Sequence, residues 1–147
     1  MIDPEKIRGI FRNLDTYVDP LRQLAELPLD EFTRDMVALG AAKYYLQTAI
    51  ECCIDTANHI ISRQGYRAPN SYADSFAVLA ENGIIGQEFA ASAMQMARMR
   101  NRLVHLYWEV DAPILHGVLS SNLGDFDRFK GCVHRFMRAL EQEGSAD

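Results

Sequence analysis

This 147-residue sequence lacks several features that define other classes of protein. Its apolar runs are short and broken by charged residues, whereas a membrane span needs about 18 apolar residues in a row. The N-terminal region contains Asp3, Glu5, Asp15 and Asp19 and no apolar block, which is unlike a signal peptide. There is no glycine-rich phosphate loop and no G-x-S-x-G motif of a serine hydrolase. We therefore expect a cytoplasmic protein that does not associate with a membrane.

Cysteine and basic residues are both scarce. The three cysteines, Cys52, Cys53 and Cys132, form no C-x-x-C pair, which favours reduced thiols in the cytoplasm. The 20 acidic residues outnumber the 15 basic ones, so the net charge of −5 argues against coating nucleic acid by bulk charge. A local basic site is compatible with this balance. With 48% hydrophobic residues, the sequence is too apolar for a disordered chain and fits one folded domain.

Strand patterns are absent as well. No segment alternates apolar and polar residues for long enough to form a strand, and Ala, Leu and Met outnumber Val, Ile and Thr. Apolar residues recur instead at helical spacing between capping and breaking residues. The predicted helices span about 4–26, 30–62, 71–82, 86 to 108 or 110, 111–121, and from 124 onward. Two of these six segments, 71–82 and 111–121, are short, and we interpret the chain as an all-α bundle of four to five helices with short connections.

The segment 96–108 departs from ordinary bundle sequence. Within 98–105 it carries three arginines, an asparagine and a histidine, interleaved with apolar side chains. Arginine offers two parallel N–H donors that suit phosphate oxygens. By residue type alone, however, a solvated arginine face with a locally satisfied histidine is the commoner arrangement on a bundle helix.

Helical geometry places these side chains on different faces. On an ideal helix Asn101 lies one turn before His105, whereas Arg100 and His105 are about 140° apart. Three arrangements would let Arg100 and His105 touch one phosphate. The arginine wraps around the helix, the helix ends or distorts, or two copies of the motif meet across a dimer.

The octet 100–107 (RNRLVHLY) resembles the R-x4-H-x-Y signature of the HepT-like branch of HEPN-domain proteins. Two earlier blocks are similar to the same family. The block 45–61 resembles its second helix, and the block 69–76 (PNSYADSF) resembles the following loop and helix start. Together the resemblance covers most of residues 30–135. It implies an all-α, HEPN-like domain, which we assign to 1–143, followed by a flexible tail, 144–147.

The resemblance also implies a function. Members of this family are toxins of toxin–antitoxin pairs that act as metal-independent ribonucleases. By position, Arg100 and His105 would be the catalytic pair. Asn101 matches the polar residue after the arginine, and Arg102 adds a supporting charge outside the signature. Tyr107 matches the tyrosine to which an MntA-type nucleotidyltransferase antitoxin attaches adenylate.

RNA cleavage without a metal or other cofactor needs two proton-transfer groups and a group that stabilises the charged phosphorane. His105 is the titratable candidate near neutral pH, and Arg100 can stabilise the phosphate. Asn101 can orient the imidazole or bind a phosphate oxygen. Because one histidine does not easily fill both proton roles, we expect a homodimer that supplies a second.

Glu51, Asp55 and His59 form a polar stripe at four-residue spacing in the predicted helix 30–62. A di-metal site of the bundle type would need a Glu-x-x-His pair, which the stripe lacks, so we expect no metal site. Asp55 and His59 are expected to contact each other and to line the same cleft as the motif.

A second hypothesis comes from a different functional class. The chain would then be a non-catalytic HEPN-type module that binds a nucleotidyltransferase or a nucleotide. Cleavage of RNA by the purified protein separates this hypothesis from the ribonuclease.

Overall fold

The computed structural model describes residues 1–146, and helices are the only regular secondary structure in that range. Seven α-helices and one short 3₁₀ helix follow one another along the chain: α1 Pro4–Ala25, α2 Leu29–Arg34, α3 Met36–Gln64, α4 Tyr72–Glu81, α5 Gln87–His105, the 3₁₀ helix Tyr107–Glu109, α6 Ala112–Ser121 and α7 Gly124–Ala146. The all-α prediction is confirmed, whereas the predicted count of four to five helices is too low.

The long helix α3 is the centre of the bundle. It packs against α1 over much of its length and against α4 and α5 on other faces, while α6 contacts α1 and α2. The buried residues from these helices form a single apolar core. α3 therefore supplies a rigid support for the ends of α4 and α5.

The single helix predicted over 30–62 is in fact two helices, α2 and α3. Asp35 separates them with extended backbone angles (φ −101°, ψ 93°), and its side chain accepts the N–H of Ala38 at 3.0 Å. The apolar pattern crosses this break because Phe32 and Met36 are four residues apart. Phe32 is fully buried, but Met36 is 82% exposed, so the two do not share a core-facing side.

The predicted helix ends are confirmed where one local residue determines them. Asp3, Ser71 and Asp111 each accept a backbone N–H of the helix that follows. Gly65 ends α3 in the left-handed region at φ 68°, which glycine adopts at little cost.

Helix α5 ends at His105, not at Trp108 or Val110 as predicted. Leu106 leaves the helical region (φ −136°, ψ 40°), and the 3₁₀ helix Tyr107–Glu109 follows. The side chains of Leu106, Tyr107 and Trp108 are exposed, so no apolar contact holds them in a longer helix. Val110 is fully buried and draws the chain back to the core.

Further predictions concern the chain ends, the thiols and membrane segments. Of the predicted tail, 144–147, α7 extends to Ala146 and Asp147 lies outside the described residues, so its flexibility stays a prediction. Cys52, Cys53 and Cys132 are all free. Within residues 1–146, no helix combines the length and apolar character needed to span a bilayer.

Candidate active site

An open cleft of about 730 Å³ lies where the C-terminal part of α5 meets the start of α4. Helix α5 contributes Arg100, Asn101 and His105 to its lining. The segment 69–72 and the side chains of Asn58 and Ser75 line the remainder. Three of the site residues predicted from the sequence therefore lie in one cleft of a single chain.

Arg100 is held by three neighbouring side chains. Its Nε donates to Glu51 Oε1 at 3.2 Å, and its Nη1 donates to Asn101 Oδ1 at 3.2 Å. Its Cζ atom lies 4.9 Å from the centre of the Tyr72 ring, a cation–π contact. Gln47 donates to the same Glu51 oxygen at 2.9 Å and so fixes the carboxylate.

These contacts leave part of the guanidinium available to a ligand. The Arg100 side chain is only 17% exposed, yet its Nη2 has no acceptor among residues 1–146. Because Nη2 belongs to a residue that lines the cleft, it can donate to an anion there. The arrangement is that of a cation positioned before its ligand arrives.

His105 is the last residue of α5 and is exposed. Its imidazole makes no hydrogen bond within the described part of the chain, so both ring nitrogens are free to contact a ligand. The helix end is one of the three arrangements that the sequence leaves open. Arg100 and His105 line the same cleft, and the helix ends directly after His105.

The other motif residues lie outside this cleft. Arg102 is half-buried in the last turn of α5 and is not part of the cleft lining. Tyr107 is 58% exposed in the 3₁₀ helix, where Lys43 Nζ donates to its backbone oxygen at 2.8 Å. The Tyr107 ring packs edge-to-face against Trp108, with 5.3 Å between centres. Among the described residues no side chain hydrogen-bonds the Tyr107 hydroxyl.

The expected contact between Asp55 and His59 is not formed, and neither residue lines the cleft. His59 is buried and its Nε2 accepts the backbone N–H of Asp3 at 3.1 Å, which ties α3 to the start of α1. Asp55 is exposed; partial burial and the charge of Glu51 raise its pKa, which Lys6 and Arg100 oppose. Asn58, the residue before His59, is the α3 residue that lines the cleft, because it lies on another face of the helix.

One arginine network holds the loop that forms the cleft wall. Arg67 donates to Asp74 at 2.8 and 2.9 Å and to Glu81 at 2.7 Å, both on α4. Asp74 also accepts the backbone N–H of Asn70 at 2.9 Å. The hydrogen bonds from Arg67 and Asn70 lower the pKa of Asp74 to about 2. The network therefore fixes the segment 69–72 relative to α4 at neutral pH.

The sequence did not identify two residues that hold Arg100. The sequence pattern places Glu51 only in a polar stripe with Asp55 and His59, and Tyr72 only in the family-like block 69–76. The Gln47-x-x-x-Glu51 spacing was a usable signal for a fixed carboxylate. In residues 1–146, no cluster of three or more His, Cys, Asp or Glu side chains is suited to a metal ion.

Comparison with known proteins identifies the family. The family model described as "Ribonuclease HepT-like" matches residues 14–133. The chain is 36% identical to the mRNA nuclease HepT of Shewanella oneidensis over 99 residues, which is 67% of this chain and 74% of that protein. It is 24% identical to the tRNA nuclease HepT of Aphanizomenon flos-aquae over 144 residues, 97% of each chain.

Solved structures agree with this result. The tri-AMPylated HEPN toxin of Shewanella oneidensis, in complex with its MNT antitoxin, superposes with a TM-score of 0.81 at 29% identity, covering 88% of this chain and 96% of that one. YutE of Bacillus subtilis shares the fold, with a TM-score of 0.80 at 19% identity over 95% of this chain and 93% of its own. The predicted family is thus confirmed: the chain has a HEPN-like fold and belongs to the HepT-like ribonuclease family.

Proposed function

We propose that this chain is an endoribonuclease toxin that cleaves RNA without a metal ion, using Arg100 and His105. The observation that carries the proposal is the cleft in which a fixed guanidinium and a free imidazole share one lining. The names of the Shewanella oneidensis and Aphanizomenon flos-aquae relatives, an mRNA nuclease and a tRNA nuclease, support the same reaction class.

The reaction uses the RNA's own 2′-hydroxyl as nucleophile. Its oxygen bonds to the adjacent phosphorus while the bond from phosphorus to the 5′-oxygen breaks, leaving a 2′,3′-cyclic phosphate and a 5′-hydroxyl. One group takes the 2′-hydroxyl proton and another gives a proton to the departing 5′-oxygen. His105 fills one of these roles, and Arg100 stabilises the negative charge of the phosphorane through Nη2. Asn101 keeps Arg100 in place through its side-chain oxygen.

The reaction needs two proton transfers, but each cleft, in the described part of the chain, contains one histidine. We therefore propose a homodimer in which a second His105 completes the site. The exposed side chains of Leu106 and Trp108 adjoin His105 and offer an apolar surface for this contact. Light scattering of the purified protein, combined with an RNA cleavage assay, tests the arrangement. A monodisperse monomer that cleaves RNA would contradict it.

Regulation is proposed to act on Tyr107. A cognate MntA-type nucleotidyltransferase would join the Tyr107 hydroxyl oxygen to the α-phosphorus of ATP, with pyrophosphate as the leaving group. The added phosphodiester carries a negative charge two residues from His105, where it competes with RNA for the cationic site. The AMPylated state of the Shewanella oneidensis toxin supports this proposal.

Intact mass spectrometry after incubation with the antitoxin and ATP tests the modification. Tyr107→Phe should remove the adenylate mass gain, and Tyr44→Phe should keep it. Tyr44 is a matched control because its exposure, 56%, is close to the 58% of Tyr107. An equal mass gain in the Tyr107→Phe variant would refute the assignment.

The nuclease itself is tested by incubating the purified protein with RNA in EDTA. Arg100→Ala and His105→Ala should each reduce cleavage by at least about 100-fold, in line with the loss of one charge-stabilising or proton-transfer group. Cleavage that survives both substitutions contradicts the assigned residues. If the native protein cleaves no RNA, the chain is instead a binding module for its antitoxin.

A further inference from the structure

We propose that the wall of the cleft formed by Tyr72, Asn58 and Asn70 binds the base of an unpaired RNA nucleotide next to the scissile phosphate. The inference rests on the proposed function, because it names the part of the substrate that the same cleft holds. It makes Tyr72 a stacking surface, and it makes Asn58 and Asn70 hydrogen-bonding groups for the edge of the base.

The cleft has more lining residues than a phosphate alone would require. Within residues 1–146, Arg100 and His105 are the only basic side chains that line this cleft. Two such groups suit a single phosphate. The remaining lining is uncharged and consists of carboxamides, hydroxyls, a proline and one aromatic ring. Its volume of about 730 Å³ is in the range of sites that hold small organic molecules. One phosphate together with one base accounts for both the charge and the size.

Tyr72 is placed to stack against a base. It is the first residue of α4, and Ser71 fixes that helix end by accepting the N–H of Asp74 at 3.0 Å. The Tyr72 side chain remains 42% exposed although Arg100 lies over its ring. Aromatic rings and arginine planes are the usual stacking surfaces for unpaired RNA bases. The same arginine would thus contact the phosphate beside the base that Tyr72 holds.

Two carboxamides supply hydrogen bonds near this ring. Asn58 Oδ1 lies 2.8 Å from the hydroxyl of Ser75, which is fully buried, so the amide is oriented and its nitrogen remains available to donate. Asn70 uses its backbone N–H on Asp74, while its carboxamide has no partner in the described part of the chain. Carboxamides offer both donors and acceptors, which match the edge of a nucleobase. Such contacts require an unpaired base, because pairing occupies its Watson–Crick edge.

The experiment uses oligonucleotides with one cleavable ribonucleotide among 2′-deoxy positions, so that the scissile phosphate is known. Matched versions replace the base on either side of that phosphate by an abasic sugar. For the native protein, we expect removal of the base on one side to lower kcat/KM by about 10- to 100-fold, as loss of one stacked base would. Removal of the base on the other side should have a smaller effect.

Tyr72→Ala separates base binding from support of Arg100. The variant should cleave the intact and the abasic substrate at equal rates, because the base no longer contributes, and loss of the contact with Arg100 should lower both rates further. A tyrosine that only supports Arg100 would instead lower both rates by the same factor. Tyr72→Phe should keep the base effect because the ring face remains, and Tyr44→Ala is the control for an exposed tyrosine outside the cleft.

The outcomes distinguish this inference from the proposed function. Equal cleavage of intact and abasic substrates, with an inactive Arg100→Ala variant, overturns the base site and leaves the ribonuclease intact. If the native protein cleaves neither substrate, the ribonuclease proposal fails. In that case, binding of 2′-O-methyl oligonucleotides, which cannot be cleaved, is measured by fluorescence anisotropy. Equal affinities for the intact and the abasic versions would overturn the base site.

Discussion

The two ends of the R-x4-H-x-Y segment are held in opposite ways. Arg100 is fixed by Glu51, Asn101 and Tyr72 and is largely buried. His105 and the following residues 106–108 are exposed, and Lys43 makes the side-chain hydrogen bond to that segment. The group proposed to stabilise charge is therefore ordered before RNA binds, whereas the groups proposed to exchange protons or accept adenylate stay accessible.

This difference has an energetic reason. An arginine side chain loses up to about 2 kcal/mol of rotamer entropy when it is ordered, and this cost is met here on folding instead of on substrate binding. The partly buried Glu51 also balances its charge in the absence of RNA. Burial of this kind would not help a histidine that accepts and releases protons, or a tyrosine that reacts with a nucleotide. Such side chains must contact the RNA or the nucleotide directly.

Among substitutions that test how firmly the segment is held, the largest effect is expected for Arg100→Lys, which keeps the charge but removes the two parallel N–H donors of the guanidinium. A lysine cannot donate simultaneously to Glu51, Asn101 and a phosphate in the same geometry. We expect RNA cleavage to fall about 100-fold, with little change in thermal stability. Initial rates on a defined oligonucleotide, together with Tm values, measure both quantities.

Arg138→Lys is the matched control, because Arg138 is exposed on α7 away from the cleft. It should cleave RNA at the native rate. Native activity in Arg100→Lys would show that charge alone suffices and that the fixed geometry of Arg100 has no catalytic value.

Glu51→Ala should have a smaller effect, about 10-fold on kcat, because Arg100 loses one of its three contacts but keeps Asn101 and Tyr72. KM should stay the same or decrease, since removal of a negative charge beside the cleft favours binding of RNA. Glu51→Gln retains an acceptor oxygen and should recover most of kcat. These parameters come from steady-state kinetics on one oligonucleotide.

Glu88→Ala, at an exposed position in the first turn of α5, serves as the control for loss of a carboxylate. A fall in kcat that Glu51→Gln does not recover would assign the effect to the charge of Glu51 and not to its hydrogen bond. A rise in KM without a change in kcat would contradict a positioning role.

Features that depend on neighbouring residues could be predicted from the sequence, whereas contacts between distant positions could not. Helix caps such as Asp3 and Ser71 act within three residues, and the motif residues of α5 are neighbours in the chain, so local patterns identified them. The cap at Asp35 is local in the same way, since its side chain accepts the N–H of Ala38. The contact of Arg100 with Glu51 instead joins positions 49 residues apart. That contact depends on tertiary packing, which residue spacing along the chain does not report.

A third prediction compares His59 with His105. Burial, followed by the charges of Lys6 and Arg63, lowers the pKa of His59, and Asp3 opposes the shift. The unfolded chain therefore binds the proton more tightly than the folded protein does. The stability that neutral His59 contributes is complete above its ordinary pKa of 6.5 and is lost as the pH falls through the lower folded-state value.

Thermal unfolding at about pH 7.5 and pH 5.5 measures this contribution. The Tm of the native protein should decrease between the two conditions by more than that of His59→Gln, whose amide oxygen can still accept the Asp3 N–H without binding a proton. His105→Gln, at an exposed position, is the control for loss of an imidazole and should lose RNA cleavage. Identical pH dependence in the native protein and His59→Gln would contradict the role of His59.

The smallest effect is expected at the exposed end of the segment. Lys43→Ala removes the hydrogen bond to the Tyr107 backbone oxygen, which is worth about 0.5 kcal/mol at a solvated position, or about 1–2 °C in Tm. The burial of Val110 and the turn itself still support the segment, and in that turn Glu109 and Val110 donate to the backbone oxygens of Leu106 and Tyr107 at 2.9 and 3.3 Å. Hydrogen exchange should accelerate at these two amides and stay unchanged within α5. Unchanged exchange at Glu109 and Val110 would mean that the 3₁₀ helix does not need the hydrogen bond from Lys43. The two ends of the motif would then differ in exposure but not in how firmly they are held.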